Sequence, residues 1–149
     1  MKIVLKYLAG TVLCLILIIW ANAILDSHYE MPRLFAEARQ TNNAVPLISA
    51  MAAAHKWIEY VIAPLTGCVI GLYAALVQKR HANILAIAIL LPFSLYALAT
   101  ESLRSLGIES VLGFLGANLV QFVLAAFVAS ALRRVLDSRN GDVFRSQQA

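Results

Sequence analysis

The chain has 149 residues, of which 61% are hydrophobic and 13% charged, with a mean hydropathy of +0.78 and a formal net charge of +4. Soluble domains run at roughly 45–50% apolar and about 25% charged residues, so this composition excludes an ordinary soluble fold and indicates an all-α, polytopic integral membrane protein whose first partner is the lipid bilayer. The basic excess falls in short segments between long apolar stretches, which makes it a signal of topology and sets nucleic acid aside as a partner.

A hydrocarbon core about 30 Å thick needs about 20 apolar residues of helix. The first stretch that satisfies this is residues 3–25, preceded by Lys2 and Lys6. Together with the triplet "ANA" at 21–23 it also resembles a cleavable secretory signal. Its length and Trp20, an interfacial anchor beside the triplet, favour a retained span. Cys14 and Cys68 fall near the middles of the first and second apolar stretches, and no C-x-x-C pair exists, so they read as small apolar fillers.

Residues 26–46 form the longest polar interval, within an exterior loop expected at 26–56. Within it Pro32 suits a first helical turn, and Leu34, Phe35 and Ala38 recur at helical spacing while Arg33, Glu37 and Gln40 take other faces. A short amphipathic helix on the membrane surface is expected there. From Pro46 a helical pattern runs past Pro64 to Gln78, about 50 Å at 1.5 Å per residue, so part of it must tilt, kink at Pro64 or protrude. The span proper is placed at 57–77, with His55 and Lys56 in water and Trp57 and Tyr60 in the aromatic belt. Glu59 lies inside that belt and needs a partner, Lys56 or Arg104 being the nearest cations of opposite sign.

A tight turn, "VQKRHAN" at 77–83, leads to a third span at 84–100. Another, "ESLRSLGIES" at 101–110, leads to a fourth at 111–132, and a polar tail at 133–149 is expected to fray. All four spans belong to one membrane domain covering residues 1–149. If they alternate in direction, Lys2, Lys6, Lys79, Arg80, Arg133, Arg134, Arg139 and Arg145 share one side. Positive residues are retained inside, so both termini are expected in the cytoplasm, with a bacterial cytoplasmic membrane as the setting.

The most regular pattern is steric. Ala63, Gly67, Gly71 and Ala75 recur every four residues in the second span, and Gly113, Ala117, Ala125 and Ala129 keep the same step in the fourth, with Gln121 completing the series. Small residues at this spacing let helix backbones approach closely, within one chain or between copies. Asn118 and Gln121 are amides inside the fourth span, serving either as interhelical hydrogen-bonding groups or as the lining of a solute path.

His28, Glu30, His55 and Glu59 supply zinc-ligand types on the outer side, but no H-E-x-x-H or other tight motif joins them, and solvated loop residues are the competing reading. No phosphate-binding glycine loop, nucleophile elbow or dinucleotide fingerprint is present. No cofactor is expected. The patterns point first to a noncatalytic protein acting through helix contacts, as an accessory subunit or self-associating scaffold in a homo-oligomer or larger membrane complex. A small oligomeric channel or carrier for a neutral or weakly polar solute is the alternative, and a metal-dependent enzyme at the membrane surface a third.

Overall fold

The computed structural model describes residues 2–103 and 108–146, and every element among them is helical. In chain order these are α1 (Lys2–His28), α2 (Met31–Thr41), α3 (Val45–Trp57), a π turn (Ile58–Ile62), α4 (Ala63–Val77), α5 (Ala82–Leu103) and α6 (Ile108–Ser146). Three helical columns are long and apolar enough to cross a membrane: Lys2–His28, Val45–Val77 and Leu115–Ser138. Among the described residues Ala82–Ala97 of α5 is a further, shorter apolar helix.

Helix α1 continues to His28, α2 follows after a two-residue bend, and α3 begins at Val45, one residue before Pro46, and continues through the π turn into α4. Helix α6 continues to Ser146, and Arg133 clasps Asp137 one turn further on. The expected turn at 101–110 lies partly outside the described residues.

The bends around α2 are set by left-handed residues. Glu30 (φ 50°) and Asn42 (φ 53°) flank the helix, and the Asn43 side-chain oxygen accepts from the Val45 N–H. Along α2, Arg33 reaches both Glu37 (2.8 Å) and Glu30 (2.9 Å). The hydrogen bonds that the guanidinium donates to Glu37 and then Glu30 hold it above its ordinary pKa, at an exposed site.

The core is built from faces of small and branched residues. Gly10, Cys14, Ala21 and Leu25 form the buried stripe of α1. On α5, Ala82, Leu85, Ala86, Ile89 and Leu90 recur at steps of three and four and are buried. A β-carbon on Gly10 would collide with Ile89 of α5 and stand 2.8 Å from Tyr73 of α4. Tyr73 in turn donates to the Lys6 carbonyl, and the Lys6 ammonium donates to Gln78 at 3.0 Å. These contacts tie the start of α1 to the end of α4, while His81 and Asn83 line a polar depression with Arg133 and Arg134. The beginning of the chain, the α4–α5 turn and the Arg133–Asp137 turn of α6 therefore lie toward one end, with α2 at the other. The outward face of α1, including Leu5, Leu8, Val12 and Ile16, is exposed as lipid contact requires.

Candidate functional site

The small-residue stripes find each other within the chain. Gly67 and Gly71 are buried on α6, where an added β-carbon would stand 2.5 Å from the Gln121 carbonyl oxygen and 2.6 Å from that of Ala125. Ala75, Ala125 and Ala129 are fully buried in the same region. Glycine is required here because the opposing atoms are backbone and cannot swing aside. Ala63 and Ala117, the members nearer the α2 end, instead line a cavity. Gly113 faces the Glu59 carboxylate, and its missing β-carbon would lie 3.4 Å from Oε1.

That cavity has a volume of about 230 Å³ and is walled by α1, α3, the π turn, α4, α5 and α6. Ile18, Ile58, Ile62 and Phe93 supply its apolar surface; its polar groups come from His55, Glu59, Thr66, Ser94, Asn118 and Gln121. Apolar walls with a few convergent polar groups are the usual constitution of a small-molecule site.

The π turn sets this arrangement. Pro64 has no N–H, and in a regular α-helix its ring would strike the carbonyl of Tyr60, four residues back. The chain instead widens over Ile58–Ile62, where the Ala63 N–H bonds to the Ile58 carbonyl oxygen, five residues back. The widened turn carries Glu59 against His55, Nε2 to Oε1 at 3.2 Å, with side-chain exposures of 11% for Glu59 and 37% for His55. With the imidazole protonated the contact is an ion pair; with it neutral, a hydrogen bond from Nε2–H.

Glu59 thus takes a different partner from either cation the sequence offered. Lys56 is exposed, one position round the helix from His55, and Arg104 lies outside the described residues. The imidazole wins because a step of four residues brings it over the carboxylate. The four proposed metal-ligating residues do not gather. His28 packs edge-on against the Tyr29 ring with centroids 4.9 Å apart, Glu30 binds Arg33, and among the described residues no three His, Cys, Asp or Glu side chains stand together as a metal site requires.

Glu59, Asn118 and Gln121, the intramembrane polar residues of the sequence, all line this one cavity, joined by Thr66 and Ser94, which no sequence pattern marks. Thr66 is 5% exposed and is the one buried polar residue of the core among the described residues. A hydroxyl in an apolar helix carries little signal, because it can bond its own backbone one turn back. Pro64 and Pro92 do not line the cavity, but their neighbours Ala63 and Phe93 do.

Compared with protein-family models, curated proteins and solved structures, the chain matches none.

Proposed function

We propose that the protein is a small membrane carrier or channel whose solute site is the cavity between the π turn and α6. The observation that carries this reading is the convergence of Glu59, His55, Thr66, Ser94, Asn118 and Gln121 from separate helices onto one cavity. Ionisable and amide groups are costly among apolar helices, and their gathering around shared space marks a solute path more often than a packing contact. The reading of a scaffold that works through helix contacts has less to stand on, because the glycines that motivated it are already covered by α6.

In this proposal α5, 22 residues and about 33 Å long, completes a fourth crossing. The basic end, with Lys2, Lys6, Lys79, Arg80, Arg133 and Arg134, faces the cytoplasm together with both termini. Helix α2 lies along the opposite membrane surface, with Phe35 toward lipid and the Arg33 cluster toward water. A chain of this size encloses a continuous path as an oligomer.

The test is uptake of a panel of small polar solutes into proteoliposomes, with wild type compared to Gln121→Leu and Asn118→Leu. Flux that falls severalfold in both variants, with folding retained, supports the proposal. Wild-type flux equal to that of empty liposomes for every solute, in a preparation shown to be folded, defeats it.

A further inference from the structure

We infer that the cavity selects a small cationic solute bearing an ammonium group, with the Glu59 carboxylate as the recognition charge and the His55 imidazole as the partner the solute displaces. This inference rests on the cavity being a solute site and adds the class of solute it takes.

Among the described residues that line the cavity, Glu59 is the one carboxylate, His55 the one other ionisable group, and no lysine or arginine is present. An anion would therefore meet a carboxylate with no lysine or arginine beside it, at a place where the Glu59 side chain is 11% exposed and screening by water is weak. A cation meets the opposite situation. A carboxylate at this depth needs a positive or hydrogen-donating partner, and His55, an exposed-edge side chain at 37%, supplies one through a single 3.2 Å contact.

The neutral polar groups of the same wall suit a cation as well. Thr66, Ser94 and Gln121 each carry an oxygen able to accept an N–H. An ammonium has three donors and no acceptor. A carboxylate, neutral acceptors and apolar walls for a short alkyl tail on one cavity match that chemistry.

The experiment is calorimetric titration of the full-length protein, in detergent or nanodiscs, with three probes of like size: butylammonium, propionamide and propionate. Butylammonium is expected to bind at least tenfold more tightly than the other two. Glu59→Gln should cost butylammonium at least tenfold, with a helical circular dichroism spectrum equal to wild type reporting that the variant is folded. His55→Gln should strengthen butylammonium binding, because the resident partner is weakened; a merely structural role for His55 predicts no gain. If propionamide or propionate binds as well as butylammonium, the cationic preference is overturned and the solute-site reading survives. If none of the three binds to folded protein, the preference is likewise overturned, and flux across the wider panel judges the solute site.

Discussion

Replacing Gly67 by alanine tests whether α4 and α6 are held by direct backbone contact. The new methyl would stand 2.5 Å from the Gln121 carbonyl oxygen, 3.2 Å from the carbonyl carbon and 3.2 Å from Cγ. Carbon atoms settle at about 3.5–4.0 Å from their neighbours, so the two helices must part locally by about 1 Å. Overpacking of this kind costs about 1–3 kcal/mol, and a gap of about 0.5–1 Å along the seam forfeits a quarter to a half of each dispersion contact. Against this, alanine favours the helix over glycine by about 0.5–1 kcal/mol.

Gly116 on α6 isolates that second effect, since a β-carbon there meets nothing within 4 Å. The difference between Gly67→Ala and Gly116→Ala therefore cancels the helix preference and leaves the packing cost, about 1–3 kcal/mol. Gly71→Ala, whose methyl would lie 2.6 Å from the Ala125 carbonyl oxygen, should behave like Gly67→Ala. The assay is equilibrium unfolding of the purified protein along a denaturing-detergent series, followed by helical circular dichroism. Gly116→Ala should unfold at or above the wild-type midpoint and the other two clearly below it. Equal midpoints for Gly67→Ala and Gly116→Ala would refute the close backbone contact.

Breaking the cavity pair should matter more than a surface pair and less than a fully buried one: His55→Ala is expected to cost between the about 0–1 kcal/mol of exposed pairs and the about 3–5 kcal/mol of buried ones. Adding Glu59→Gln should recover most of that loss in a double-mutant cycle, and purely additive midpoints would show that the two do not interact. Pro64→Ala restores an N–H able to bond the Tyr60 carbonyl, so the π turn should relax to a regular helix; solute flux should then fall with little change in unfolding midpoint, and unchanged flux would count against the turn as the positioning device. Reporter fusions after Asn42 and after Arg80 should report opposite sides of the membrane, with Arg80 inside, and two reporters on the same side would end the proposed topology. Because Glu37 and then Glu30 raise the pKa of Arg33, its share in stability is present below the ordinary arginine value and lost only as pH rises through the raised one; the effect of Arg33→Gln on the midpoint should be flat from pH 6 to 9, and a slope there would contradict the assignment.

What the sequence disclosed was set by local rules. Hydropathy and length identify α1, α4 and the apolar part of α6 because spanning a membrane is a requirement on consecutive residues. The four-residue steps at Ala63, Gly67, Gly71 and Ala75 and at Gly113, Ala117, Ala125 and Ala129 announce close helix approach, though not which stripe meets which. The joining of Glu59 to Asn118 and Gln121 was illegible because it depends on how α4 and α6 are rotated about their axes. That rotation depends in turn on five residues near Pro64 choosing a π turn over a kink, a difference of one backbone hydrogen bond. The pairing of His55 with Glu59 follows from their four-residue step, which the sequence displays, but the cavity that the pair lines does not.

The π turn also gives the long helix two independent rotational phases. Below it, α4 is fixed by Gly67 and Gly71 lying directly on the α6 backbone, and that half cannot rotate without prising the helices apart. Above it, α3 is free of that clamp, and one added residue in a turn offsets the upper half by up to about 100°. Twisting at Ile58–Ile62 would therefore exchange the side chains presented to the cavity while the helices keep their spacing. A one-residue deletion between Glu59 and Ala63 that preserved the wide turn would bring Ala54 and Ile58 to the places of His55 and Glu59. The cavity would lose both its ionisable groups and keep its neutral ones, Thr66, Ser94, Asn118 and Gln121, with the α4–α6 seam beneath it undisturbed.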